Sequence, residues 1–176
     1  MRLLVTGGAG FIGSNFVRYM LTEHKDIQIT NVDKLSTGSN RANLNDVEAD
    51  VRYKFVEGDI ADKKLMDTLL AKVDSAVNLA AETHVDRSIA DPWPFINSNT
   101  IGALTLFEAA KEKGKRILHV STDEIYGDIL RGSFKEDDKL KPSSPYSASK
   151  AAADLFALAY RRTYGSDIVI VRCTNN

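Results

Sequence analysis

The sequence predicts an α/β fold, a doubly wound parallel sheet of about six strands with helices on both faces. Three observations carry that prediction. Short apolar runs alternate with longer amphipathic ones along the whole 176 residues, the pattern of strands joined by crossover helices. The apolar runs are nearly continuous, as in strands whose two faces are both covered. The first run breaks on Gly7-Gly8 and leads straight into a helical pattern.

Taken in order, Leu3 to Thr6 is a buried strand that stops at the glycines. Phe11, Ile12, Phe16, Val17, Met20 and Leu21 have helical spacing, which predicts a helix over Phe11 to Leu21. Ile27 to Val32 is a second strand ending at Asp33, and Val51 to Val56 a third. Asp62 to Val73 is a helix with Leu65, Met66, Leu69, Leu70 and Val73 on one stripe. Ala76 to Leu79 is a fourth strand. Pro92 to Lys113 is a long helix stopped by Gly114, with Trp93 anchoring its start. Arg116 to Ser121 is a fifth strand. Pro145 to Tyr164 is a second long helix, with Ser144 as N-cap, proline at the first helical position and Gly165 after its end. Ile168 to Cys173 is a sixth strand. Two connections are long, Lys34 to Asp50 and Gly127 to Ser144. The first has room for a helical turn near Arg41 to Val47. The second is rich in charge and reads as a mobile, solvated flap.

Composition excludes several classes. Lys plus Arg number 23 and Asp plus Glu 24, a net charge of −1, so no basic footprint for nucleic acid and no polybasic membrane patch is expected. A hydrophobic share of 43 % with 27 % charged residues is globular, not disordered or collagenous. The single Cys173 makes neither an intrachain disulfide nor a cysteine zinc cluster, and is expected to be a small buried hydrophobe. His24 and His119 lack partners at metal-ligand spacing, so no metal site is expected. No apolar run approaches the ~20 residues of a membrane span, and the N-terminus reaches glycine too early for a signal peptide. A cytoplasmic protein with one domain over residues 1–176 is the expectation.

Gly7, Gly10 and Gly13 stand three apart between the first strand and the first helix. Backbone without side chains there can approach a pyrophosphate, and the helix beyond points its free N–H groups at the oxygens. Asp33 ends the second strand about 20 residues on, where a carboxylate accepts from adenosine ribose hydroxyls. It would repel a 2′-phosphate, which favours NAD over NADP; Lys34 beside it weakens that preference slightly. Asp59 and Ile60 follow the third strand, where an acid can meet an adenine amino group and an isoleucine its ring. Ala80 and Ala81 follow the fourth and leave room for the second ribose.

Tyr146 and Lys150 lie four apart at a helix start, on one face. A phenol is too weak an acid to serve as a base at neutral pH. A nearby ammonium and a cationic nicotinamide favour the phenolate, which can then accept a hydroxyl proton. Thr122, Asp123 and Glu124 follow the fifth strand. Thr122 can hydrogen-bond a reacting oxygen. Two adjacent acids can split into proton donor and proton acceptor if their environments separate their pKa values.

Gly7-Gly8-Ala9-Gly10-Phe11-Ile12-Gly13, the Tyr146/Lys150 pair and Ser121-Thr122-Asp123-Glu124-Ile125-Tyr126-Gly127 resemble the extended short-chain dehydrogenases. Within them the chain is similar to the dTDP-glucose 4,6-dehydratases. The run Leu79 to Ile89 and the run Ser144 to Lys150 belong to that likeness, which spans the whole chain. The resemblance implies a redox-neutral cycle on NAD: oxidation at C4, loss of water across C5 and C6, and reduction at C6. It implies Tyr146 as the C4 base, Glu124 as the C5 base and Asp123 as the acid at the C6 hydroxyl. It implies that Phe11, Ile12, Asp33, Lys34, Asp59, Ile60, Ala80, Ala81 and Ser98 contact NAD, with Tyr146 and Lys150. It implies that Thr83, Thr122 and Asn175 contact a nucleotide-sugar substrate. Arg172 to Asn176 resembles the start of the family's Asn-Asn-Tyr-Gly-Pro run, which implies that a C-terminal substrate domain is absent from this chain. The two long helices resemble those that form homodimers in the family; their apolar stripes could equally face the sheet. A related epimerase or decarboxylase, and a non-catalytic NAD-binding scaffold or sensor, remain as alternatives.

Overall fold

The computed structural model describes residues 1–174. The elements are β1 (Arg2–Thr6), α1 (Phe11–Glu23), β2 (Gln28–Asp33), β3 (Tyr53–Glu57), α2 (Lys63–Leu70), β4 (Ser75–Asn78), α3 (Val85–Ala90), α4 (Trp93–Phe95), α5 (Ala103–Lys113), β5 (Arg116–Thr122), α6 (Pro145–Tyr164) and β6 (Ile168–Cys173). Between α4 and α5 the helix runs on without a break through a π-helical stretch, Ile96–Gly102. All six strands are parallel, in the order β3-β2-β1-β4-β5-β6. The direction of winding reverses between β1 and β4, which opens a crevice at the carboxyl ends of those strands.

The strands form where both faces find apolar cover. Leu4, Val32, Ala76, Ile117 and Ile168 pack with α2, α5 and α6 on one side of the sheet. Leu3, Val5, Ile29 and Val77 pack with Val17 and Leu21 of α1 on the other. α1 is the smaller cover, and Val169 and Val171 at the β6 edge stay exposed. Burial of each leucine-sized side chain contributes about 1.5–3 kcal/mol.

The strand and helix order follows the sequence pattern, and the differences have local causes. α2 begins at Lys63 because the Asp62 carboxylate caps it, accepting from Leu65 N at 3.0 Å. β3 starts at Tyr53, because Val51 sits fully exposed in a turn. The expected turn in the first long connection is a 3-10 helix, Arg41–Leu44. α3 has no counterpart in the sequence reading; its six residues are too few for a visible period. The predicted long helix over Pro92 to Lys113 is real but carries the π-helical insertion. Trp93 does not anchor it: the indole is largely exposed, and its backbone carries the contacts, with N–H donating to the Asp91 carboxylate at 3.1 Å and the carbonyl accepting from Ile96 N. The flap from Gly127 to Ser144 is tied at three points. Lys141 N donates to Ile125 O at 3.0 Å, Arg172 donates to Glu136 O at 2.8 Å, and Phe134 stacks on Tyr126 at 5.1 Å. Among the described residues no helix is long and apolar enough to cross a membrane.

Candidate active site

A cleft of about 570 Å³ opens at the carboxyl ends of the strands. Its floor is the glycine turn between β1 and α1. Gly7 adopts φ +70°, and a side chain there would drive into Ala80 Cα, 2.6 Å from its Cβ. Gly13 is hemmed in the same way by Gly8 Cα. Gly10 differs. A Cβ added there meets nothing nearer than Gly7 O at 3.4 Å, so internal packing does not require glycine. Its bareness keeps backbone accessible at the cleft wall, where Phe11 and Ile12 begin α1. The residues present therefore suit a diphosphate laid against the start of a helix.

Asp33 is buried and already employed. One carboxylate oxygen accepts from Ala9 N at 2.9 Å and the other from Leu35 N at 2.8 Å. It fixes the glycine turn to the end of β2, and each oxygen keeps a further lone pair for a ligand hydroxyl. Lys34 does not project freely beside it. Its ammonium donates to Ser98 Oγ and lies 3.6 Å from Asp59 and 3.8 Å from Glu82. That local neutralisation leaves little free cation for a 2′-phosphate. Ser98 is buried in the π-helical stretch. Ile60 and Ala80 line the cleft below, with Ala81 and Thr83 further round its wall.

At the other end, Tyr146, Lys150, Thr122 and Glu124 line the same cleft. Local sequence explains why each is held. Ser144 caps α6 in a capping box with Ser147, and Tyr146 N donates to Ser88 Oγ of α3 at 3.1 Å. Phe95 packs edge-on against the Tyr146 ring at 6.4 Å. Lys150 is buried, with its Nζ donating to Val120 O at 2.7 Å. The Thr122 hydroxyl accepts from Glu124 N at 3.3 Å and donates to Asp123 Oδ1 at 3.4 Å, capping the short 3-10 turn Asp123–Tyr126. Asp123 stands beside the cleft and does not line it, while Glu124 does.

The electrostatics bear on the Tyr146/Lys150 expectation. The Tyr146 phenol is pushed above its ordinary value, by burial first and then by the Glu124 carboxylate, with the Thr122 hydrogen bond partly offsetting them. Lys150 spends its visible hydrogen bond on Val120 O, so without a further positive charge in the cleft the phenolate is not favoured. Burial, then Asp123, also push the Glu124 carboxyl above the usual carboxylate range. Cys173 is only half-buried and lines the cleft, so it is a wall residue and not part of the core. Asn175 lies outside the described residues.

Sequence reasoning missed three groups. Ser36, Thr37, Gly38 and Ser39 line the cleft from the loop after β2; a polar, glycine-bearing segment directly after Asp33 was the available signal. Ser121 lines it beneath Thr122. Asn99 is buried and binds three ways: its Oδ1 accepts from Glu82 N at 2.8 Å, and its Nδ2 donates to Glu82 O and to Ser149 Oγ at 2.9 Å. It locks the π-helical stretch to α6, and nothing in a helical apolar period marks it.

Sheet order, crevice and residues together define a Rossmann-type domain of the extended short-chain dehydrogenase class, with a Tyr/Lys pair at one end of a dinucleotide-sized cleft. More narrowly, the chain belongs to the GDP-mannose 4,6 dehydratase family, whose model matches residues 4–176. It is 50 % identical over 182 residues to a dTDP-glucose 4,6-dehydratase of Actinoplanes sp., covering 100 % of this chain and 57 % of that one. The crystal structure of the dTDP-glucose 4,6-dehydratase of Streptomyces venezuelae with NAD bound is similar with a TM-score of 0.95 and 52 % identity, covering 98 % of this chain and 55 % of that one. A UDP-glucose 4-epimerase of Thermus thermophilus in complex with NAD is similar at a TM-score of 0.85 and 33 % identity, covering 98 % and 54 %. The chain thus spans a little over half the length of these relatives.

Proposed function

We propose that residues 1–176 are the NAD-binding domain of a dTDP-glucose 4,6-dehydratase, carrying its proton-transfer residues, and that a separate substrate domain completes the sugar-nucleotide site. One observation carries the reading: the glycine turn, Asp33, the Tyr146/Lys150 pair and the Thr122/Glu124 pair all face a single cleft. The relatives named above support it.

The glycine turn and the start of α1 would hold the pyrophosphate, Asp33 a ribose, Asp59 and Ile60 the adenine, and Lys150 the nicotinamide ribose. When bound, the dinucleotide would supply hydride chemistry, taking a hydride from the sugar's C4 and returning it to C6. Tyr146 takes the C4 hydroxyl proton, for which its raised pKa must first be offset by positive charge in the cleft. Thr122 fixes the sugar oxygen. Glu124 removes the C5 proton, which a C4 ketone acidifies. Asp123, which stands beside the cleft rather than in its lining, would turn toward it to protonate the departing C6 hydroxyl. Burial first, and then the Asp123 charge, hold the Glu124 carboxyl above the usual carboxylate range, so it ionises less readily than a free glutamate and is a stronger base once ionised. Thr83 would meet the nucleotide sugar, as would Asn175. We further propose a homodimer in the intact protein, supported by the outward apolar residues Ile101 and Leu155 on its long helices, and a cytoplasmic setting, consistent with one unpaired cysteine.

The test is titration of the chain with NADH, followed by nicotinamide fluorescence. Saturable binding is expected, with Gly10→Val weakening it about tenfold or more while leaving the unfolding midpoint nearly unchanged. Incubation with dTDP-glucose should give little 4-keto product from this chain and full turnover from a longer one carrying the substrate domain. A folded chain that ignores NADH would overturn the cofactor assignment; full turnover by the 176 residues alone would overturn the division of labour.

A further inference from the structure

A lysine inside a protein keeps its charge only if the surroundings compensate for lost hydration. Lys150 is 3 % exposed. One carbonyl, Val120 O, takes one of its three donors. The charged and titratable groups that meet it come from three elements. Asp154 lies on α6 itself, His119 on β5 and Cys173 on β6; Tyr146 stands one turn earlier on α6, and Arg172 of β6 acts through Asp154.

Asp154 stands out among these. Tyr146, Lys150 and Asp154 recur every four residues and share one buried face of α6. Asp154 is 0 % exposed, deeper than either of the others. Arg172 Nε donates to its Oδ2 at 2.9 Å. Its Oδ1 is buried and has no hydrogen-bond partner among the described residues. Facing Oδ1, at 3.8 Å, is His119 Nε2, which is equally without a partner.

The histidine does not quench that carboxylate. Thr6 Oγ1 donates to Asn78 Oδ1 at 2.6 Å, which turns the Asn78 amide nitrogen toward His119 Nδ1 at 3.0 Å. Nδ1 therefore accepts, and the ring proton sits on Nε2. Burial, then the Lys150 charge, hold His119 far below the ordinary imidazole range, so the ring is neutral. The Arg172 guanidinium holds one oxygen of this buried carboxylate, and the other, Oδ1, is left without a partner one helical turn from Lys150.

We propose that Asp154 is a positioning residue for the Tyr146–Lys150 pair: its carboxylate, anchored to β6 by Arg172, keeps the Lys150 side chain cationic at the cleft floor. Burial draws Lys150 down to about 8, and Asp154 is the foremost group opposing it, ahead of Cys173. Without Asp154, burial would act on Lys150 with less to oppose it, and the side chain would favour a Tyr146 phenolate less. The inference rests on the dehydrogenase-type reading of the cleft for its use, but the ionisation can be measured without any ligand.

The experiment follows the Lys150 13Cε chemical shift against pH in the lysine-labelled 176-residue chain, assigned with Lys150→Arg. Wild type should titrate near 8. Asp154→Asn should lower the midpoint by about 1–2 pH units, and Asp154→Glu should restore most of it; a merely structural role would move neither. A folded D154N variant with an unmoved midpoint overturns the proposal. Should D154N not fold, the wild-type titration decides by itself: a Lys150 midpoint near 8 supports the proposal, and a Lys150 already neutral at pH 7 in the intact chain overturns it. Failure of the cofactor reading shows up separately, as a chain that titrates as stated yet does not bind NADH.

Discussion

At the scale of single residues, two carboxylates and one imidazole carry testable consequences. Glu124 and Asp123 are adjacent, yet only Glu124 faces the cleft, and burial with its neighbour's charge holds its carboxyl high. We expect Glu124 to titrate above the ordinary glutamate range by carboxyl 13C NMR, and Asp123→Asn to lower it only in part, because burial, the larger cause, remains. His119 is the converse case. The unfolded chain takes up a proton at this ring near pH 6.5, whereas the folded chain refuses it. Below that pH the unfolded state binds more protons, so stability falls as pH falls, by up to about 1.4 kcal/mol per pH unit; above it this group costs nothing further. Urea unfolding between pH 7.5 and 5.5 should show that slope, and His119→Gln should flatten it. Most cleft residues were legible in the sequence because each sits directly after a strand, where the chemistry of an open α/β sheet gathers. Asn99 was not, because its value lies in what it ties across space. Nor was the direction of the Tyr146 shift, since it depends on where Lys150 spends its hydrogen bond and on Glu124, fixed only by folding.

At the scale of elements, helix ends decide how well the reactive groups are aimed. Tyr146 stands two residues beyond Ser144, whose Oγ accepts from Ser147 N at 3.0 Å. Ser144→Ala should lower unfolding free energy by about 1 kcal/mol, read by urea denaturation, since it removes this cap and half of the reciprocal box. The start and stop of α6 were readable because Ser144, Pro145 and Gly165 are strong boundary residues. The π-helical stretch was not. One extra residue per turn over Ile96–Gly102 is a small phase slip, hidden inside a helix whose two flanks look regular. It places Ser98 beneath Lys34 and Asn99 against Ser149, contacts that an unbroken α-helix would present on other faces. The flap read as mobile from its charge alone, because the partners that pin it, Arg172 and Ile125, are remote in sequence or backbone only.

At the scale of the molecule, helices α5 and α6 turn one flank to the sheet and another outward. Ala153 and Ala157 are buried, while Leu155 and Leu158 are 57 % and 46 % exposed. Sedimentation velocity should show concentration-dependent dimers, and Leu155→Glu with Leu158→Glu should return them to monomers without lowering the unfolding midpoint; a monomer at all concentrations would remove the dimer proposal for this chain. The sequence foretold the sheet's composition and parallel sense, since each strand carries its own apolar signature. The neighbour relations come from topology, and the topology sets a schedule. β1 is one of the two central strands and pairs with β2 and with β4, Leu3 lying opposite Ser75. On a ribosome adding some 5–20 residues per second, the first strand made must wait several seconds for its far neighbour to emerge. Throughout that interval one flank of β1 presents unsatisfied amides and carbonyls to whatever strand-like segment is nearby. Nascent-chain chaperones and slow codons before residue 78 would thus influence yield without altering the finished fold.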